Sequence, residues 1–254
     1  VSIAERERLF QLPRSNWTDY DTKVISEGGG VWARDIKSIE LSEAARKAFG
    51  ISAKTLSPDE LIHEMLKSSV DLLFNGGIGT YVKATTETHE SVGDRVNDMV
   101  RVDGSELRCR VIGEGGNLGL TQLARIEYSR LGGLCHTDAI DNAAGVDTSD
   151  HEVNIKILLN AAVDAGEISV QDRNDLLREM TEEVAQLVLR NNYMQSQALA
   201  LAVDRAPSLI HHHARALRQL EQNYGLDRSL EHLPGEEEIR ERISLKKGLT
   251  RPEL

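Results

Sequence analysis

The sequence predicts an α/β region followed by an all-helical region. Two short strand-like segments each lead into a small-residue turn that carries an asparagine, at 113–117 and 142–145. After residue 150, apolar residues recur at helical spacing instead. Alternating strands, glycine turns and helices are typical of doubly wound, Rossmann-like sheets, which bind nucleotides beyond the carboxyl ends of their strands. We therefore predict the second half of a dinucleotide-binding, Rossmann-like domain in residues 1–150 and a helical region in residues 151–254.

The composition excludes several classes of protein. With 40% hydrophobic and 28% charged residues, the 254-residue chain has the composition of a globular protein. Its net charge of −11 disfavours a nucleic-acid or anionic-membrane surface, and no apolar run reaches the roughly 18 residues of a membrane span. Cys109 and Cys135 are too few for a disulfide framework. We expect a cytoplasmic protein and, because the chain does not begin with Met, a piece of a longer one.

Local signals place the first elements. A helix begins after Ser42 and ends at Gly50, and a second begins with Ser57 as N-cap and Pro58 at the first helical position. The apolar run 70–74 predicts a buried strand that feeds a glycine turn at 75–79. This strand and turn form the first of three such units along the chain.

The next two units follow the same order. Alternation over 107–111 predicts a strand, which leads into the turn at 113–117 and a helix that ends at the glycine pair after residue 131. Residues 134–139 form the next strand candidate, before the turn at 142–145. Ser149 and Glu152 then form a capping-box pattern, which predicts the start of a very apolar helix, buried between layers and ending near Gly166.

The helical region is predicted from residues that start or end helices, as well as from the periodicity of apolar residues. One long helical pattern breaks at Pro207, resumes from 208 to 224 and stops at Gly225. Pro234 and Gly235 then start a last short helix. Three adjacent histidines at 211–213 face different directions on a helix, so we predict no metal site there.

The candidate site residues lie in the turns. Glycine permits positive φ and close approach of a ligand to the backbone, although any single glycine turn is more often a simple chain reversal. Asn75, Asn117 and Asn142 present amides suited to a ribose or a carboxamide. Ser149 is either a helix cap or, with the helix N-terminus, a carboxylate site. For the Asp138 and Asp141 pair at 138–141, loop capping is favoured over acid/base chemistry.

The same residues carry a resemblance. Residues 111–117 (VIGEGGN) resemble the xxAEGAN turn of glutamate dehydrogenases. Residues 142–146 (NAAGV), followed by Ser149 and Glu152, resemble the NAGGVxxSxxE element of the same family, at matching spacing. Longer segments, such as 75–84 (NGGIGTYVKA) and 147–156 (DTSDHEVNIK), are similar to the large bacterial NAD-specific glutamate dehydrogenases. The likeness covers nearly all of the chain.

The resemblance implies NAD as cofactor and L-glutamate with 2-oxoglutarate and ammonia as the reactants of an oxidative deamination. Asn117 would lie at the cofactor near the reacting centre, and Asn142 would hold the nicotinamide carboxamide or ribose. Ser149 would bind the side-chain carboxylate of glutamate. Further cofactor contacts would come from Asn75, Gly76 and Gly115, although 75–77 (NGG) replaces the family's Pro-Ala-Ala.

Two features of the family do not occur in this sequence. Neither the Gly-Gly-Gly-Lys-Gly motif with the catalytic lysine nor the first strand with its G-x-G-x-x-G turn is found, so no catalytic residue is assigned. We expect the chain to be inactive alone and to need the remainder of a full-length, homo-oligomeric protein. Two alternatives stay open: a dehydrogenase of another amino acid, and a non-catalytic helical interaction or regulatory module.

Overall fold

The strands pair into small parallel and antiparallel ladders. A computed structural model describes residues 2–254, in which three two-stranded sheets occur: β1 with β2 antiparallel, β3 with β6 parallel and β4 with β5 parallel. The strands of the described residues are β1 (Ile39–Glu40), β2 (Thr55–Leu56), β3 (Leu72–Asn75), β4 (Val82–Lys83), β5 (Val102–Asp103) and β6 (Val111–Glu114).

Helices make up most of the remaining chain. They are α1 (Ser2–Phe10), α2 (Glu43–Phe49), α3 (Pro58–Leu66), α4 (His89–Val92), α5 (Gln122–Arg130), α6 (Asp138–Asp141), α7 (Ala143–Asp164), α8 (Val170–Glu179), α9 (Thr181–Tyr224) and α10 (Glu236–Ser244). No helix within residues 2–254 has both the length and the apolar character needed to cross a membrane.

The predicted caps of α2 and α3 are confirmed. The Ser42 side chain accepts the Ala45 N–H at 3.0 Å, and Gly50 ends α2 in the left-handed region at φ 69°. Ser57 and Glu60 form a reciprocal capping box at the start of α3. These signals were readable because each depends on residues within one turn of the helix end.

The α/β core confirms parallel strand pairing. Register pairs Leu72 with Val111, and Leu134 adds a single parallel bridge on the other side of β6. Behind these strands α5 packs Ala124 and Tyr128 against the buried side of the sheet. The predicted strand at 134–139 is therefore wrong beyond Leu134, because the chain turns into α6 four residues later.

The opposite face of this sheet is uncovered. Leu72, Val111 and Leu134 form one row across the three segments and are 56%, 37% and 53% exposed. Phe74 stands beside the row and is 65% exposed. The prediction of a buried strand at 70–74 is thus wrong, because only Leu73 is even partly buried, although parallel sheets are normally covered on both faces.

α7 corrects two predictions. It begins at Ala143 and runs without a break to Asp164, so Gly145 and Ser149 lie inside a helix, neither in a turn nor at a cap. Asn142 alone makes the bend from α6 to α7, with φ −100° and ψ 13°. Alanines 143 and 144 favour helix immediately, and the capping pattern at Ser149 therefore lies too late in the helix to start it.

The apolar side chains of α7 are also more exposed than predicted. Val153, Ile157 and Leu158 are exposed, and the helix packs along α8 and α9 without burying these positions. The expectation of a helix buried between layers is wrong for the described residues. The predicted end near Gly166 is confirmed, since this residue has φ 74° and follows the last turn.

α9 passes through Pro207, where a break was predicted. Proline lacks the N–H that would bond to the preceding turn, but the backbone of Gly248 packs directly against the helix there. A Cβ on Gly248 would lie 2.4 Å from the carbonyl carbon of Ala206. The predicted end at Gly225 is confirmed by its φ of 72°, as is the start of α10 after Gly235.

The C-terminal segment, residues 250–254, returns to the α/β core. Gln122 on α5 donates to the Pro252 carbonyl at 2.7 Å, and Arg242 on α10 pairs with buried Glu253 at 2.8 Å. Burial alone would raise the pKa of Glu253, but hydrogen bonds from Arg242 and from Thr250 outweigh it and hold that pKa below its usual value. The two regions are thus joined by contacts, and the boundary near residue 150 stays a prediction.

Candidate functional site

The loops after β3 and β6 lie side by side at the carboxyl ends of their strands. The Gly115 N–H donates to the Asn75 carbonyl at 2.8 Å. A Cβ on Gly116 would lie 2.8 Å from the Gly77 carbonyl oxygen, and one on Gly119 would lie 2.0 Å from Asn75 Nδ2. Glycine is therefore required where the two loops touch.

The structure brings two of the predicted asparagines together. Asn142 Nδ2 donates to Asn117 Oδ1 at 2.9 Å, across 25 positions of sequence. That bond uses one donor of Asn142 and the carbonyl of Asn117. Within residues 2–254, Asn117 Nδ2 and Asn142 Oδ1 make no further hydrogen bond, which leaves one free donor and one free acceptor on the two bonded amides.

Two carboxylates hold the ends of the turn that carries Asn117. The Leu118 N–H donates to Asp138 Oδ2 at 2.7 Å, and the Glu114 N–H donates to Asp141 Oδ2 at 2.9 Å. Leu118 has φ 59°, a conformation that a β-carbon disfavours. Both carboxylates of the pair therefore bind backbone N–H groups of the turn, which supports loop capping over acid/base chemistry.

A histidine behind the turn was missed in the sequence. His136 Nδ1 lies 2.8 Å from Asp141 Oδ1, and its Nε2 lies 2.9 Å from Arg251 Nη1. The contact with Arg251 joins residues 115 positions apart, so no local pattern could have revealed it. His136 followed Cys135 in a predicted strand and carried no sequence signal of its own.

Of the remaining predicted residues, Asn75, Gly76 and Gly115 lie in the two loops, and Ser149 lies further along α7. Asn75 accepts the Gly77 N–H weakly at 3.4 Å, while Gly76 and Gly115 are exposed. Ser149 is exposed on α7, seven residues after Asn142. Seven residues are nearly two full turns, so Ser149 lies on the same side of the helix about 10 Å further along.

A cavity lies beside these residues. It measures about 700 Å³, and its lining includes Glu87, Leu118, Thr121, Arg125 and Asp138. Within residues 2–254 its lining includes none of Asn75, Asn117, Asn142 or Ser149. The predicted site is thus an open edge. Within residues 2–254, no group of three or more His, Cys, Asp or Glu side chains is arranged to hold a metal ion.

A buried ion pair anchors the turn from inside. Glu114, at the end of β6, is 1% exposed and accepts two hydrogen bonds from Arg125 of α5, at 2.8 and 3.0 Å. Arg125 is 3% exposed, and Asp138 lies 3.4 Å from its Nη2. The Leu120 N–H also donates to Glu114, at 3.3 Å. A fully buried pair is stable only when its geometry and its remaining hydrogen bonds are this complete.

Parallel strands whose glycine loops meet at one carboxyl edge define the chain as an α/β protein with a polar edge at the ends of its strands. The profile described as bacterial NAD-glutamate dehydrogenase, catalytic domain, matches residues 1–202. The chain belongs to this family.

Curated relatives agree with that assignment. The chain is 58% identical over 253 residues to the NAD-specific glutamate dehydrogenase of Pseudomonas aeruginosa, 53% over 254 to that of Halomonas elongata and 51% over 260 to that of Mycobacterium tuberculosis. Each alignment takes in 100% of this chain but only 16% of the relative.

Replacing Arg125 by Met should destabilise the protein strongly. Glu114 would be left as an unpaired buried charge, which costs about 3–5 kcal/mol of unfolding free energy. Urea denaturation of the purified chain measures the difference. Arg110→Met is the matched control: its pair with Asp71 is exposed on both sides, so the midpoint should hardly move. Equal losses in the two variants would contradict the buried anchor.

Proposed function

We propose that this chain is part of an oxidoreductase that uses NAD to deaminate L-glutamate oxidatively to 2-oxoglutarate and ammonia. The three relatives are named NAD-specific glutamate dehydrogenases, which supports the reaction and the cofactor. The observation that carries the proposal is the contact between Asn117 and Asn142 at the carboxyl edge of parallel strands. Ligands of open parallel sheets bind beyond this edge.

The asparagine pair suits a primary carboxamide. The free donor on Asn117 suits the carbonyl oxygen of a nicotinamide carboxamide, and the free acceptor on Asn142 suits its amino group. Exposed Gly76 and Gly115 let a flat ligand approach the two loops closely, and Asn75 lies at the base of the first loop. NAD, when bound, would accept the hydride that leaves the substrate α-carbon.

Ser149 is proposed to bind the side-chain carboxylate of glutamate. Its hydroxyl is exposed on the side of α7 that carries Asn142, about 10 Å beyond it by helix rise. That spacing supports a carboxylate contact at Ser149 that is separate from the carboxamide contact at Asn142. A site in which Ser149 played no such part would fit the alternative, a dehydrogenase of an apolar amino acid.

The remainder of a full-length protein is proposed to complete the fold and the site. The relatives are about six times as long as this chain, by the 16% share each alignment covers. The uncovered row of Leu72, Val111 and Leu134 is the kind of sheet face that α/β proteins cover with helices. The catalytic lysine and the other half of the cofactor cleft would also come from that part, so the 254 residues alone would be inactive.

Further proposals on the whole protein rest on the same likeness to its relatives. A homo-oligomeric, cytoplasmic enzyme with residues 1–150 as cofactor region and 151–254 as helical region remains our proposal. The alternative of a non-catalytic helical docking module draws on exposed apolar side chains of α7 and α9, such as Ile157 and Leu189.

Asn142→Ala in the full-length protein should raise the Kd for NADH about tenfold, the equivalent of roughly 1.4 kcal/mol. The variant removes one carboxamide contact and frees Asn117 to rotate. Fluorescence titration with NADH measures the change. Asn154→Ala, on the same helix but bonded only to Asp150, is the control. An unchanged Kd for the Asn142 variant would reject the proposed cofactor site.

Ser149→Ala should raise the KM for glutamate about tenfold, in the range of a hydrogen bond to a charged group, with the KM for NAD unchanged. Initial rates with each substrate varied in turn separate the two constants. Thr148→Ala is the matched control, because the Thr148 hydroxyl is already bonded to the Ala144 carbonyl within α7. A parallel rise in both constants would argue against a substrate carboxylate at Ser149.

Thiol labelling tests whether other parts of the full-length protein cover the sheet face. Phe74→Cys should react with a maleimide in the 254-residue chain and be protected in the full-length protein. Both native cysteines are buried, and burial raises the pKa of the Cys135 thiol to about 11, so they should stay silent.

Leu230→Cys, 72% exposed in a loop of the helical region, serves as the accessible control for the 254-residue chain. Equal labelling of position 74 in both proteins would overturn the proposed cover. Protection in the short chain, together with a dimeric mass, would instead assign the face to a second copy.

A further inference from the structure

We propose that His136 is a positioning residue that ties the C-terminal segment to the turn carrying Asn117. Three contacts lie in series: Arg251 to His136 at 2.9 Å, His136 to Asp141 at 2.8 Å, and the Glu114 N–H to Asp141 at 2.9 Å. The role of that turn in cofactor binding rests on the proposed function above. We call the three contacts in series the relay; its existence rests only on these distances.

The chemistry of the three partners sets the direction of each bond. A guanidinium only donates, so Arg251 requires His136 Nε2 to be the acceptor. The proton of the neutral ring must then be on Nδ1, where it donates to Asp141 Oδ1. With that oxygen held, the other oxygen of Asp141 stays aimed at the Glu114 N–H, and Arg251 thereby selects the tautomer that orients the carboxylate.

The end of the relay that carries Arg251 is held independently. Its neighbours Pro252 and Glu253 are fixed by Gln122 of α5 and Arg242 of α10, and Thr250 donates to Glu253 at 2.7 Å. Arg251 is therefore presented by an anchored 3₁₀ turn. A displacement of α10 would reach the turn that carries Asn117 through Arg251, as well as through the contacts of α10 with α5.

The relay ends next to the proposed ligand contact. Asp141 immediately precedes Asn142, and its bond to Glu114 fixes the first residue of the turn that leads to Asn117. The His136 and Asp141 side chains are only 18% and 15% exposed, so water competes weakly for their hydrogen bonds. The helical region and the turn carrying Asn117 are therefore coupled by hydrogen bonds as well as by packing.

Two isosteric replacements separate the halves of the relay. In His136→Asn the amide nitrogen takes the place of Nδ1 and keeps the bond to Asp141 but loses Arg251. In His136→Gln the amide oxygen takes the place of Nε2 and keeps Arg251 but loses Asp141. His136→Ala loses both, and Arg251→Ala removes the far end.

Hydrogen exchange of the 111–118 peptide in the full-length protein reports the turn without any ligand. Exchange should rise at least about threefold in His136→Ala and His136→Gln, whereas His136→Asn should stay near wild type. The Kd for NADH should follow the same order, with increases of about fivefold or more, as for a modest coupling between sites.

A double mutant tests the step through the imidazole. Arg251→Ala should raise the Kd for NADH in the wild-type background but have no further effect when His136 is already Asn. The relay is wrong if the Asn and Ala variants behave alike, or if the loss of Arg251 has the same effect in both backgrounds. If wild type binds no NADH, the proposed function fails, and the exchange data alone decide the relay.

Discussion

The buried pair of Glu114 and Arg125 is the constraint on which the candidate site depends. The Glu114 carboxylate lies at the end of a strand and is only 1% exposed. Its burial is stable because Arg125 of α5 donates two hydrogen bonds to it and the Leu120 N–H donates a third. The pair fixes both ends of the 114–120 loop against one helix. The loop between them has little freedom left, and Asp138 and Asp141 hold the rest of it.

From that anchor the position of the asparagine pair follows. Asp141 holds the first residue of the turn and Asp138 holds Leu118, so Asn117 projects from a segment tied on both sides. The same short helix, α6, ends at Asn142. The carboxylates that cap the turn and the amide that meets Asn117 thus come from five consecutive residues, and their relative position is set by one turn of helix.

Sequence reasoning succeeded where the cause is local and failed where distant contacts decide. Ser42, Ser57 and Gly225 mark helix ends because their hydrogen bonds lie within one turn. Ser149 and Pro207 carry equally clear local signals, yet both lie inside helices: helix formers precede Ser149, and Pro207 lies where the backbone of Gly248 packs against α9. Asn117 was predictable as a residue after a parallel strand, whereas Asn142 follows α6 and not a strand, so their contact was not predictable from strand ends. Nor was the contact of His136 with Arg251, since 115 positions separate them.

The amide groups of Asn117 and Asn142 are already positioned, but the open edge leaves their hydrogen bonds exposed to water. An exposed hydrogen bond contributes only about 0.5–1.5 kcal/mol net, because water competes for both groups. The asparagine pair and its carboxylate supports already hold their geometry within these 254 residues. Covering the row of Leu72, Val111 and Leu134 and closing the edge would remove water and lower the local dielectric. The same amide contacts would then become stronger without moving.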